Sequence, residues 1–439
     1  MIKLAFLSID MRLPLKFGAE TISSLRVCHV ELQAYGATGY GETPLSAAWG
    51  WPSSTLSHAF REERMCAFCE FLAERFQMPA SEDPMQWGWS YLNGTLESLR
   101  QQFNARHHLD MPYLAALIAY ASFDIAVHDA FARSLHLPVY QTYNRSFLQQ
   151  DLSFFFQDDD FRGKYPGDFF VKTVPSSLPV WHLVGGKDLL DNRQTPQAIQ
   201  DGYPVSLEEW LSRDGLRFLK IKLTGNDAQW DYERLVAVGR LALEHGVEGL
   251  SADFNCMVRQ PAYVNEVLDS LKTNEPAIYA MLLYVEQPFP SDLDRFPVDV
   301  HSCAIRKPIF LDESAHDWRR VEQGYRLGWN GVALKTCKSQ TGALLSGCWA
   351  KAHGMSLMVQ DLTNPRLAMM PHALLAAHFG TIKGIECNAA QFYPDASLSF
   401  EKRHPGLYER RNGCIRLNFL DAPGFGYSSD DVSEVNQEK

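Results

Sequence analysis

Short apolar runs punctuate the second part of the chain, and helix-like stretches fill most of the gaps between them. The runs cover 179–185, 218–223, 249–253, 282–286, 308–312, 331–335, 356–360 and 384–388. Each is nearly continuous in hydrophobicity, as parallel strands covered on both faces are. Between them, 226–245, 261–273, 318–327, 340–353 and 365–379 carry apolar residues at helical spacing, while 291–300 is short and weakly helical. Eight buried strands alternating with helices predict a β/α barrel.

The chain before 179 reads differently. Alternation over 25–32 predicts a strand, the GATGYGE segment at 36–42 a turn, and 113–134 the best helix. These predict a separate α+β domain over 1–140. Residues 141–178, aromatic and Asp-rich, predict an insertion or long loop. The barrel spans 179–400, a segment over 401–430 is expected to pack back on the first domain, and the polar tail at 431–439 is expected to be disordered.

The net charge of −11, with no strongly basic segment, excludes a nucleic-acid partner, which requires a Lys/Arg-rich face. It leaves room for a small anionic substrate, because a metal or a few lysines supply local positive charge. Nine scattered cysteines include one close pair, Cys66 and Cys69, in a helix-like run with no partner pair to complete a zinc site. Free thiols suit a reducing cytoplasm, where the protein is expected to reside. The apolar start is broken by Asp10 and reads as a strand rather than a signal peptide. No run is expected to span a membrane.

The informative polar residues fall at the C-terminal ends of the predicted strands, where β/α barrels place their active sites. Lys220 and Lys222 are two apart on one strand and project to the same face. Asp253, with Asn255 after it, Glu286, and Asp312 followed by Glu313 end three adjacent strands. Lys335, Gln360-Asp361, and Glu386 with Asn388 end the last three. Three carboxylates sharing one small space are costly unless a cation joins them, and Mg²⁺ suits three carboxylates plus substrate oxygens and water. Lys335 lies four strands round from Lys222, on the opposite side of an eight-stranded ring. Two lysines facing one carbon from opposite sides, beside a divalent cation, suit proton removal next to a carboxylate. Nearby cations are expected to lower the lysine that acts as base. Among cap residues, Lys16, Phe17, Trp49 and Trp51 divide between pocket and packing roles.

These residues resemble the enolase superfamily, in its mandelate racemase/muconate lactonizing enzyme branch. The matching pieces are K-I-K at 220–222, D-F-N at 253–255, E-Q-P at 286–288, L-D-E-S at 311–314, A-L-K at 333–335, G-Y-G-E at 39–42, the helix at 121–140 and A-P-G-F-G at 422–426. The resemblance covers nearly the whole chain. It implies a modified TIM barrel, (β/α)7β, with an N-terminal α+β capping domain. It implies Mg²⁺ on Asp253, Glu286 and Asp312, and Lys222 and Lys335 as acid/base pair with Lys220 assisting. Lysine at the sixth strand end is similar to the muconate lactonizing subgroup. The sequence TCKSQTG after Lys335 departs from the family by lacking paired glycines.

The resemblance thus implies a racemase, epimerase or cycloisomerase acting on a small-molecule carboxylate, as a homo-oligomer without nucleic-acid or membrane partners. A hydroxy-acid dehydratase and a non-catalytic barrel used for binding are the alternatives. An amidohydrolase-type barrel would want an HxH pair, which the chain lacks.

Overall fold

A computed structural model describes residues 2–17, 20–79, 81–191 and 201–437, without the side chains of 16, 17, 436 and 437. Lys16 and Phe17, two of the cap residues named above, therefore have side chains outside the described residues.

The N-terminal domain is built on three antiparallel strands, β1 (Ile2–Phe17), β2 (Glu20–Ala34) and β3 (Ala37–Pro44), in the order β1-β2-β3. Tyr35 and Gly36, both at positive φ, close the β2–β3 hairpin with Ala34 opposite Ala37, the two-residue turn whose twist matches its strands. Helix Tyr113–Ser134 lies on β2 and β3. The glycines of G-Y-G-E permit that approach: a Cβ on Gly39 would overlap the Ala126 carbonyl oxygen, and one on Gly41 that of Ser122.

That helix corrects one expectation. At 22 residues and mean hydropathy 1.4 it is long and apolar enough to cross a membrane, but 94% of its apolar window is buried within the protein, as the core of the cap. Its polar residues are bonded inside. Asp129 accepts from the backbone N–H of Tyr40 (3.1 Å) and of Phe425 (2.9 Å), which fastens the A-P-G-F-G segment to the cap. Asp124 accepts from the Thr341 N–H (2.8 Å) and hydroxyl (2.9 Å), and His128 meets the same hydroxyl at 2.9 Å. Thr341 opens helix Gln340–Ala352, so the cap is fastened to the barrel six residues beyond Lys335.

Eight parallel strands form the barrel: β4 (Ser177–Val184), β5 (Phe218–Lys222), β6 (Gly249–Asp253), β7 (Leu282–Glu286), β8 (Ile309–Leu311), β9 (Gly331–Leu334), β10 (Ser356–Val359) and β11 (Ile385–Glu386). They pair in chain order, and β11 pairs with β4 to close the ring. A short β12 (Cys414–Arg416) runs antiparallel to the start of β4. Closed parallel strands with an antiparallel cap agree with the fold expected from the sequence. The interior is filled by Trp181, Phe218, Tyr284, Phe310 and Met358. Gly331 makes room for this layer, since a Cβ there would enter the Phe310 ring.

Residues 141–178 are no bare loop. They form short helical turns at Leu152–Phe156, Asp159–Phe161 and Pro166–Phe169 and bury Tyr143, Phe155, Phe156 and Phe161. Tyr140, just before them, stacks on His378 at 3.9 Å between ring centres, and Lys351 donates to the Phe169 carbonyl (2.7 Å). The segment thereby covers the outside of the barrel.

Of the tail expected to be disordered, 431–437 lie in helix Ser429–Gln437, and 438–439 fall outside the described residues. Val432 and Val435, three apart, are buried, and Asp431 is buried against Arg403 and His404 (2.8 Å). All nine cysteines are free thiols, and Cys66 and Cys69 sit on the packing side of helix His58–Arg75.

Candidate active site

Two-residue periodicity builds the site. Each aromatic or sulfur side chain of the barrel floor is followed two residues later, on the same face, by the next layer up. Above Phe218 stands Lys220, above Tyr284 stands Glu286, above Phe310 stands Asp312, and above Met358 stands Gln360. Lys222, Asp253 and Lys335 share that interior parity on their strands. An apolar floor thus supports a polar ring at the C-terminal mouth.

Lys220, 3% exposed, is the hub. Its Nζ lies 2.7 Å from Glu286 Oε1, 3.1 Å from Asp253 Oδ2 and 3.2 Å from Glu386 Oε2, and 3.3 Å from the Gln360 amide oxygen. Gln360 also donates to Glu286 Oε2. Lys222 Nζ is 2.6 Å from Asp253 Oδ2, whose partner oxygen accepts from the Asn255 N–H (2.9 Å). Across the ring, Lys335 Nζ is 2.8 Å from Asp312 Oδ2.

The cap reaches into this ring through Trp49. Its indole N–H donates to Glu313 Oε1 (3.0 Å), which also accepts from the Asn255 amide (3.3 Å). Its ring centre lies 4.5 Å from Lys335 Nζ, in cation–π range. Trp51, by contrast, is buried in the cap, where its carbonyl holds Arg61. Asp361 and Asn388 bond to each other and to strand-end backbone: Asp361 accepts from the Asn388 N–H (3.0 Å) and amide (3.2 Å), and Asn388 accepts from the Leu183 N–H (2.9 Å). They brace the loops, while the Asn388 amide steadies Glu386 (2.7 Å).

Two residues with roles here were missed in the sequence. Gln287 ties two strand ends together: its oxygen accepts from the Asp312 N–H (2.7 Å) and its amide donates to the Ser314 hydroxyl (2.7 Å). Its place in E-Q-P was the available signal. Lys338 packs its ammonium against the Asp312 carbonyl and Oδ1 (3.1 Å). Nothing but its position in a turn after Lys335 marked it. The loops at this mouth also hold non-glycine residues in the left-handed region, at Asn255, Cys256, Gln287, Ser339, Thr363 and Arg366. Such backbone strain concentrates at functional sites.

Electrostatics follow from burial and crowding. Burial, then the neighbouring Asp253 charge, raises Glu286 well above the usual carboxylate range. Burial also raises Glu313, Asp361 and Glu386. Asp253 is buried too, but Lys222 and Lys220 outweigh that and hold it low; Lys335 and Lys338 do the same for Asp312. Burial would lower Lys335, yet the Asp312 charge raises it above its ordinary value. The Asp312 charge outweighs the lowering by the neighbouring Lys220.

The three acids expected to hold a metal reach the mouth together, but their oxygens point to lysines rather than to one centre. Among the described residues, no three His, Cys, Asp or Glu side chains are gathered closely enough to hold a metal ion. The donor chemistry nonetheless fits a hard divalent cation. Asp253, Glu286 and Asp312 bring buried carboxylate oxygens to adjacent strand ends, the donors such a cation takes.

Residues 203–433 match the family model described as enolase C-terminal domain-like. No curated protein matches the sequence. Among solved structures, the chain resembles a mandelate racemase/muconate lactonizing protein from Herpetosiphon aurantiacus (TM-score 0.65, 19% identity, 97% of each chain covered). It also resembles the L-Ala-D/L-Glu epimerase from Bacillus subtilis (TM-score 0.64, 18% identity, 97% of each chain). A third is the muconate lactonizing enzyme from Pseudomonas fluorescens (TM-score 0.63, 15% identity, 99% of this chain and 98% of that one). With a matching family model over the barrel, a shared fold from end to end and strand-end residues of the expected types, the chain belongs to the enolase superfamily, in its mandelate racemase/muconate lactonizing enzyme family.

Proposed function

We propose that this protein is a Mg²⁺-dependent enzyme that removes and returns the proton next to a substrate carboxylate, as a racemase, epimerase or cycloisomerase. One observation carries the reading. Lys222 and Lys335 end strands β5 and β9, four apart in a closed ring of eight, and both point inward with buried carboxylates between them. Two amines on opposite sides of a small space suit a planar carbon handled from either face.

Asp253, Glu286 and Asp312 would hold the cation, which supplies a Lewis acid for negative charge developing on the substrate carboxylate. Lys220, fixed among three carboxylates, sets the positions of Asp253 and Glu286 and adds positive charge to the same region. Lys222 and Lys335 move the proton at their Nζ atoms. Asp312, beside Lys335, holds its amine in place at the edge of the ring. Trp49 covers Lys335 and keeps water from that side.

The test is solvent exchange. Dipeptides, N-acyl amino acids, muconates and sugar acids are incubated with the protein and Mg²⁺ in D₂O, and deuterium at the α-carbon is read by mass spectrometry. Exchange in one substrate class that disappears in Lys222→Ala or Lys335→Ala supports the reading. Absence of exchange across the panel, with no Mg²⁺ binding by calorimetry, removes it.

A further inference from the structure

Lys338 follows β9 on a tight turn, Thr336–Lys338, in which its own N–H donates to the Lys335 carbonyl (3.1 Å). The turn sends the side chain back over the strand ends, where it is 3% exposed. An ammonium has three protons, and three acceptors surround this one. They are the Asp312 backbone carbonyl (2.5 Å), Asp312 Oδ1 (3.1 Å) and the Ala333 carbonyl (3.5 Å). The Trp49 ring centre lies 5.7 Å away on a further side.

This surrounding differs from those of the other lysines. Lys222 and Lys335 each hold a single carboxylate oxygen of one residue at close range, and Lys220 spans side chains of three strands. Lys338 alone grips main chain and side chain of the same acid, and it joins the ends of β8 and β9. Asp312 Oδ1 is thereby taken, and Oδ2 is the oxygen left towards Lys335.

We propose that Lys338 is a positioning residue for Asp312: it fixes the carboxylate's orientation and the strand end that carries it, so that Oδ2 is presented for a divalent cation. It takes no part in proton transfer, since its donors are committed to the protein. The proposal rests on the reading of Asp312 as a cation ligand. A residue that orients a ligand in this way changes metal affinity by about 10- to 100-fold when lost. A residue that only neutralises a ligand's charge does the reverse, because removing a competing cation strengthens metal binding.

The sign of the effect is the test. Lys338→Met keeps the side chain's length and removes its charge, and Lys338→Arg keeps the charge. Mg²⁺ affinity is measured by calorimetry on folded protein, with amide exchange of 309–315 followed by mass spectrometry. Lys338→Met is expected to bind Mg²⁺ at least tenfold more weakly than the parent, Lys338→Arg to lie between them, and amide exchange to quicken over 309–315 but not over 356–360. Unchanged or tighter binding by Lys338→Met overturns the proposal. If the parent binds no Mg²⁺, the ligand reading of Asp312 fails separately, and unaltered exchange over 309–315 in Lys338→Met then also overturns the clamp itself.

Discussion

Lys220 and Glu286 meet at 2.7 Å across the barrel mouth although β6 stands between their strands. A buried ammonium and a buried carboxylate that bridge non-adjacent strands hold the ring at a fixed diameter. They also leave each dependent on the other, because neither reaches water.

Lys220→Met is therefore expected to destabilise the protein by about 3–5 kcal/mol, the cost of stranding a buried charge. Urea unfolding at pH 7 measures it. A loss below about 1 kcal/mol would show that Glu286 simply takes up a proton in the variant.

The two lysines at opposite strand ends should fail separately. Loss of one acid/base group slows proton transfer by about 10²- to 10⁴-fold. Lys222→Ala and Lys335→Ala are each expected to abolish deuterium uptake from one enantiomer of a racemised substrate while sparing a trace from the other. Equal loss from both enantiomers in both variants would point to chemistry from one face only.

Magnesium should stabilise the fold. A ligand at about 100 times its Kd adds about 2.7 kcal/mol. Thermal melts with Mg²⁺ are expected to exceed melts with a chelator. Asp253→Asn, Glu286→Gln and Asp312→Asn should each erase most of that difference. A shift that survives all three would place the ion elsewhere.

The barrel was legible in the sequence because its strands are short, apolar and covered on both faces. The runs at 249–253 and 282–286 coincide with β6 and β7. The inward lysines and acids were legible because a strand's period of two leaves one choice of face. Lys338 was not: after a turn, sequence spacing no longer says where a side chain points, and only the carbonyls of Asp312 and Ala333 explain it. The tail helix was hidden for another reason. Val432 and Val435 are its two buried apolar residues among polar neighbours, and its docking depends on Arg403 and His404, distant in sequence. Trp49 could be suspected but not placed, since cap and barrel meet only in three dimensions.

The cap's attachment should show in acid. Burial pushes His128 down to about 3, so the folded protein keeps it neutral while the unfolded chain takes up a proton near pH 6.5. Its contribution is complete above about pH 6.5 and is lost as pH falls towards 3, at about 1.4 kcal/mol per pH unit. Asp124 beside it, raised by burial to about 6, works in the opposite direction. Comparing parent with His128→Gln isolates the histidine: between pH 6 and 4 the variant's stability should fall less steeply by about 1.4 kcal/mol per unit. Parallel slopes would mean that His128 is protonated in the folded protein.

Gly41→Ala should disturb the cap without touching the mouth. The added methyl meets the Ser122 carbonyl of helix Tyr113–Ser134, and overpacking of this kind costs about 1–3 kcal/mol. Urea unfolding reads the loss, and a neutral outcome would show that the helix can retreat from the sheet.

The stack of Trp181, Phe218, Tyr284, Phe310 and Met358 has one more consequence. It closes the barrel from beneath, so the polar ring faces the cap, on the side where Trp49 hangs. Under the proposed reaction, substrate and product would share the passage beside Trp49.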